Sequence, residues 1–392
     1  MLGACALGAA FAFGSRPLAV AGLGLVLAGA VARAWAAFAK GPVAVEHVAD
    51  PSPATEGDEV ALRITARRES RVPAASIVAR GRLGRLGPYG CRLRNSGREA
   101  AGELALGHPP RGRYPISDAS LELAEPLGLE RVVLPLAPAT SVVVHPRLVE
   151  LDGLFSDQGR LGPDGKRLRL RLPSGFDFHS VREYERGESL RRVHWPTTAR
   201  QGRLMVKNLE DPLRDGVCVV LDCDPAGAVG KPPESSFDTA VRAAGSLLRA
   251  SVLRGRRGVL VTTGRRHAAV EVASARAFPA ALDVLADAEP DALHGLARAL
   301  DRALEPAARA SELVVVTSAL DGEGARALIA SGARRVVSVV WVDAASFGWR
   351  PTRADRCVLR LVAAGIPVAV VRRGDDLAAA LGRPRIEERA RA

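Results

Sequence analysis

Aromatic residues make up only 4% of this 392-residue chain, so its cores must be packed with Ala, Val and Leu rather than with rings. Cysteine is also sparse. Cys5, Cys91, Cys218, Cys223 and Cys357 are odd in number and widely spaced, and none forms a CxxC pair. That argues against a disulfide framework and suits a reducing compartment. No GxxxxGK[ST] occurs, and no GxGxxG stands at a strand–helix turn, so the common phosphate-cradling loops are missing. No Ser or Cys nucleophile sits with a His and an acid in a recognisable arrangement. Nor is there a zinc knuckle, an RNA-binding motif or a basic run interleaved with aromatics. The formal net charge of +12 is therefore a poor argument for nucleic acid. The basic residues, nearly all Arg, are spread along the chain among Asp and Glu. No nucleic-acid partner is expected, and a basic surface near an anionic inner leaflet accounts for the charge.

Apolar residues are plentiful, at 47%, and the length suits two soluble domains plus a membrane segment. Residues 2–13 are apolar or small. After a break at Gly14-Ser15-Arg16-Pro17, residues 18–39 are apolar except for Arg33. As a helix the second run reaches about 33 Å, enough to cross the hydrocarbon. The first reaches about 18 Å, too short to cross alone. Residues 1–40 are thus expected to be a membrane anchor. It is either a helical hairpin with Arg16 in the turn or a single span with 1–13 at the interface. A cleaved signal peptide is disfavoured, because no basic segment precedes the first run and no clean cleavage site follows. Arg33 and Lys40 flank the second run on its C-terminal side, which places the rest of the chain in the cytoplasm, at the cell membrane.

Over 42–150 the period changes. Val60, Leu62, Ile64 and Ala66 alternate with Ala61, Arg63, Thr65 and Arg67, as in a strand with one buried face. Short β-rich runs recur at 43–48, 120–124, 131–136 and 141–144. Gly and Pro clusters such as His108-Pro109-Pro110-Arg111-Gly112 separate them. This pattern predicts a small β-sandwich serving as a spacer or docking module.

Over 215–381 five apolar runs read as buried strands: Val217–Leu221, Val259–Thr263, Leu313–Thr317, Val336–Val342 and Pro367–Val371. Uninterrupted runs of this length suit a parallel sheet covered on both faces. Phe237, Val241, Ala244 and Leu248 follow helical spacing between the first two, with Ser235 and Asp238 as a capping box. Strand–helix alternation predicts an α/β fold with a doubly wound parallel sheet. Its ligands would bind beyond the carboxyl ends of the strands, near Asp222–Ala226 and Thr317–Asp321. Residues 382–392 form a basic, polar tail.

The linking segment 151–214 holds the densest motif: Arg182-Glu183-Tyr184, Gly187-Glu188, Arg191-Arg192-Val193-His194-Trp195 and Ala199-Arg200. This ordered string resembles the signature of the domain-of-unknown-function family 58, membrane-anchored bacterial proteins with von Willebrand factor type A-like domains. Glu188 stands where that signature has Asp. Arg111-Gly112-Arg113-Tyr114 and Pro126-Leu127-Gly128-Leu129 look like the same family's β-region. As an interaction surface the signature offers Arg182, Tyr184, Gly187, Glu188, Arg191, His194, Trp195 and Arg200. In structural terms, Tyr184 and Trp195 would pack at a domain junction, and His194 would be a half-buried histidine rather than a catalytic base.

The resemblance implies a type A-like fold for 215–381. Such domains often hold a divalent ion through Asp-x-Ser-x-Ser after the first strand, with a Thr and an Asp from later loops. Here Asp222 fits and Asp224 supplies oxygen in place of Ser, but Ala226 cannot ligate. Thr317-Ser318 stands where Thr-Asp would be, and Asp321 lies further on. The set Asp222, Asp224 and Ser318 is incomplete, so no cofactor is expected, with Mg or another divalent ion as the alternative. Otherwise the two aspartates cap the following turn. The resemblance also implies a MoxR-type AAA+ ATPase as partner. The expected function is a non-enzymatic, membrane-anchored interaction or scaffold protein in complex assembly or envelope processes. The rivals are a metal-dependent hydrolase using Asp222 and Asp224, and an extracellular adhesion module.

Overall fold

A computed structural model describes residues 2–70, 72–137, 141–151, 153–155, 181–183, 195–207, 216–307, 310–348 and 354–382. The chain divides into two compact units, Met1–Arg147 and Leu148–Ala392.

The first unit begins with two helices, α1 (Leu2–Phe13) and α2 (Arg16–Ala39). Extended Ser15 precedes α2, and Pro17 in its first turn has the φ a helix start needs. α1 folds back along α2. Gly3 lies against Val26 and Gly22 against Leu7, so close that an added Cβ would come within 2.9 Å of Val26 and 2.8 Å of Leu7. With 24 residues and a mean hydropathy of 1.8, α2 is long and apolar enough to cross a membrane. Val20, Leu23, Leu25, Leu27 and Val31 are exposed along it. Its C-terminal turns behave differently: Trp35 and Ala39 are buried in the core of the β-structure that follows.

Ten strands make up that β-structure. They are β1 (Val43–Asp50), β2 (Ala54–Thr55), β3 (Val60–Arg68), β4 (Ser76–Leu83), β5 (Gly87–Ser96), β6 (Glu99–Gly107), β7 (Gly112–Tyr114), β8 (Ile116–Ala124), β9 (Arg131–Pro135) and β10 (Val142–His145). Seven form an antiparallel sheet in the order β1-β3-β6-β5-β4-β8-β9, and β2-β10-β7 form a smaller one. The arrangement is sandwich-like. β3 buries Val60, Leu62, Ile64 and Ala66 on one face, as its alternation predicts. β2 and β4 to β7 are additional to the predicted strands. β5 alternates buried Tyr89, Cys91 and Leu93 with Gly90, Arg92 and Arg94, and β6 is interrupted by Gly102 and Glu103, so neither is a run of strong β-formers and both rely on their neighbours. Tyr114 anchors the core. Its hydroxyl donates to the Pro110 carbonyl, and the Arg85 guanidinium lies over its ring.

The second unit contains β11 (Val181–Glu183), α3 (Trp195–Gln201), β12 (Met205–Lys207), β13 (Val217–Leu221), α4 (Ser236–Leu253), β14 (Gly258–Thr262), β15 (Ala268–Val272), α5 (Phe278–Asp287), α6 (Leu296–Ala307), β16 (Glu312–Thr317), α7 (Gly322–Gly332), β17 (Val336–Val342), α8 (Ala354–Ala363), β18 (Val368–Val371) and α9 (Leu377–Leu381). Its main sheet has the order β15-β14-β13-β16-β17-β18. The five predicted strands are parallel, but β15 runs antiparallel to β14, so the sheet is mostly rather than wholly parallel. An edge strand needs only one hydrogen-bonded neighbour, and a tight return after β14 supplies it without a crossover helix.

The uninterrupted apolar runs follow from cover on both faces. Val217, Val219 and Leu221 pack with α4, α5 and α9, while Cys218 and Val220 pack with α6, α7 and α8. α4 starts where its capping residues predict. The Ser235 hydroxyl accepts from the Asp238 amide at 3.0 Å and donates to the Asp238 carboxylate at 2.6 Å.

Candidate functional site at the carboxyl rim of the parallel sheet

β14 lies on one side of β13 and β16 on the other, so the strand order reverses between β13 and β16. The crevice of an open α/β sheet opens at the carboxyl ends of such a pair. The register aligns Leu221 with Thr262 and with Val316. One residue further along, Asp222, Thr263 and Thr317 therefore stand abreast where three adjacent strands end.

They form one hydrogen-bonded set. Asp222, only 1% exposed, accepts on Oδ2 from the Thr317 hydroxyl at 2.7 Å. On Oδ1 it accepts from the Thr263 hydroxyl at 3.2 Å and the Asp224 amide at 3.3 Å. Each threonine oxygen in turn accepts a backbone amide, Cys223 on Thr263 at 2.8 Å and Ala319 on Thr317 at 3.0 Å. The single proton of each hydroxyl is thus directed at the carboxylate. Burial pushes the Asp222 carboxyl up to about 6, the Thr317 hydrogen bond pulls it part of the way back, and the nearby Asp224 charge pushes it up again.

The remaining predicted residues do not complete an ion site. The Asp224 carboxylate caps a 3-10 turn over Pro225–Gly227, accepting from the Ala226 amide at 2.8 Å. Ser318 lies under that turn: a Cβ on Gly227 would come within 2.4 Å of its hydroxyl oxygen. Among the described residues, Ser318 shares no hydrogen bond with either aspartate. Asp321 caps α7 through the Gly324 amide at 2.6 Å. Asp222 and Asp224 are therefore brought together and Ser318 is set apart. Among the described residues no three His, Cys, Asp or Glu side chains gather with metal-ligand geometry. A divalent ion fits this donor set poorly, because Asp224 is spent on a cap, Ala226 offers no side-chain oxygen and both threonine protons face Asp222.

Cys223 is buried beside Asp222, and burial followed by the Asp222 charge pushes its thiol up to about 12. It is a small core residue rather than a nucleophile. Thr263 was missed in the sequence, where it reads only as the end of a β-rich run. It also borders a shallow cavity of about 70 Å³ lined by Gly264, Arg265, His267, Leu293 and His294.

The linking-segment signature is only partly visible. Arg182 is in β11, which pairs antiparallel with β12, Arg182 opposite Val206. Tyr184, Gly187, Glu188, Arg191 and His194 lie outside the described residues. Trp195 opens α3 and is 65% exposed. Arg200 is exposed in the last turn of α3. Thr198 joins that helix to β12, its hydroxyl oxygen accepting from the Met205 amide at 3.0 Å.

The second unit is thus a mixed α/β domain with a mostly parallel sheet and a buried, hydroxyl-bound carboxylate at its switch point. Residues 180–346 match the family described as Protein of unknown function DUF58. No curated protein matches the chain. Among solved structures, Cwp6 from Clostridium difficile is similar over 76% of this chain and 36% of its own, at 10% identity and a TM-score of 0.21. The chain thus spans about a third of that protein's length, and at such a score nothing about fold or function follows.

Proposed function

We propose that this is a membrane-anchored, non-enzymatic interaction protein whose second unit is a von Willebrand factor type A-like domain. That unit would dock a protein partner at the carboxyl rim of its sheet. The family resemblance makes a MoxR-type AAA+ ATPase the partner to test, in complex assembly or envelope processes. One observation supports docking over chemistry: the acid at the switch point is held by neutral donors. Asp222 holds two hydroxyl protons and an amide, and it faces no base, nucleophile or cation among the described residues. Such a set shapes a rim and does not move protons. The anchor supporting this reading is α2, and Arg33 and Lys40 at its end favour the cytoplasmic side.

Pull-down from detergent extract tests the proposal. The wild-type chain should retain a MoxR-type ATPase under at least one nucleotide condition. Ala226→Arg, on the exposed turn of the rim, should lose it while leaving the fold intact by circular dichroism. Recovery of no such ATPase under any nucleotide condition would count against the partner. Calorimetry with Mg²⁺ and Mn²⁺ addresses the hydrolase reading, which would gain from tight binding that Asp222→Ala abolishes.

A further inference from the structure

At the foot of α2, the β-structure opens into a groove whose chemistry suits an anion. β5 changes partners there. It pairs with β4 as far as Leu93, opposite Ile77, and with β6 from Arg94, opposite Ala101. Where β5 moves away, the chain entering β4 has only small side chains, Ala74 and Ala75 before the strand and Ser76 at its start, and a cavity of about 470 Å³ is left. Arg92, Arg94 and Asn95 stand on its other wall. Neither arginine has a carboxylate within ion-pair distance among the described residues, and Glu99, close by on β6, is taken by Arg67 at 3.3 Å.

Behind the groove lies a third arginine. Arg68 is 4% exposed, and its guanidinium makes two long contacts, to the Val72 carbonyl and to Asn95 Oδ1, each at 3.4 Å. Its Nε has no hydrogen-bond partner, and burial pulls its pKa below the ordinary arginine value. A buried guanidinium without a counter-charge is costly, and an anion at Asn95 would relieve that cost.

The groove adjoins the helix that enters the membrane. The Trp35 indole donates to the Pro73 carbonyl at 2.6 Å, one residue before Ala74. The Ser70 hydroxyl donates to the Phe38 carbonyl at 3.0 Å. Exposed Phe38 and Lys40 stand at this end of the helix, an aromatic and a basic side chain of the kind that sits at headgroup level. We infer that Arg92, Arg94 and Asn95, backed by Arg68, form a binding site for the headgroup phosphate of an anionic phospholipid in the membrane that α2 spans. The arginine fork matches phosphate oxygens, and an open groove at headgroup depth admits a lipid without extracting it. The inference rests on the anchor proposed above.

The test uses the full chain in nanodiscs of phosphatidylcholine, alone or mixed with phosphatidylglycerol, with retained lipid counted by native mass spectrometry. Wild type should retain phosphatidylglycerol in preference to phosphatidylcholine. Arg92→Gln/Arg94→Gln should weaken that preference by about 30-fold, from the contribution of two basic residues at a charged surface. Arg82→Gln, an exposed arginine near the opposite end of β4, should leave it unchanged. Insertion into both discs with equal retention of both lipids overturns the headgroup site and leaves the anchor standing. Equal loss in the double variant and in Arg82→Gln also overturns it, because it would reduce the effect to general surface charge. Failure to insert into either disc overturns the anchor, and the site with it.

Discussion

Replacing Asp222 by Asn should remove a pH dependence that this single carboxyl imposes on the second unit. The group is buried where β13 ends, and its carboxyl stands at about 6 in the folded chain against 3.8 ordinarily. Between those values the folded chain holds a proton that the unfolded chain has released. Below 3.8 both forms are protonated, and this group costs the fold nothing. As pH rises through the window, stability falls, and above about 6 the whole cost is present. A displacement of about two pH units corresponds to about 3 kcal/mol, lost between about pH 4 and about pH 6. The asparagine side chain keeps an acceptor for one threonine hydroxyl and carries no charge, so the Asp222→Asn variant should lack this slope. The assay is urea unfolding in chelator-treated buffer, read by pulsed deuterium labelling at one fixed pH and mass spectrometry of peptides covering 216–221 and 312–317. These strands report on the second unit alone. Contributions from other titrating groups cancel in the difference between wild type and variant. If the two stability curves run parallel across that pH range, Asp222 is not a desolvated carboxyl, and the account of the rim fails.

Two further perturbations test the packing around that rim. Gly227→Ala would place a Cβ 2.4 Å from the Ser318 hydroxyl and 2.5 Å from its carbonyl carbon. The backbone cannot move aside freely, so the same unfolding assay should show a loss of about 1–3 kcal/mol. Leu248→Ala empties a fully buried position on α4 beneath Gly258. It should cost about 2–5 kcal/mol, with a matching drop in the urea midpoint and no change in the slope with denaturant.

The parts legible in the sequence share a physical property: each is decided by neighbours along the chain. α2 is visible because lipid-compatible length is a local count. β13, β16 and β17 are visible because burial on both faces leaves almost no polar position within them. β3 shows its one buried face through alternation, and α4 announces itself through Ser235 and its helical spacing. β5 and β6 do not, because glycines interrupt both and they become strands only by pairing with neighbours. β15 was hidden in the same way at the edge of the other sheet.

The functional rim divides along the same line. Asp222 could be singled out from its place after an apolar run, since a carboxylate at the end of a buried strand is conspicuous in any sequence. What it touches could not. Thr263 lies 41 residues away and Thr317 lies 95 away. Only the alignment of three parallel strands places their hydroxyls on the two carboxylate oxygens. The groove beside α2 has the same origin, since it exists where β5 leaves β4 for β6 and the break has no mark in composition or period. Periodicity and capping are set within a few residues of chain and can be read from the sequence. Hydrogen bonds across strands, and gaps between them, depend on register between distant segments, and only the folded sheet determines that.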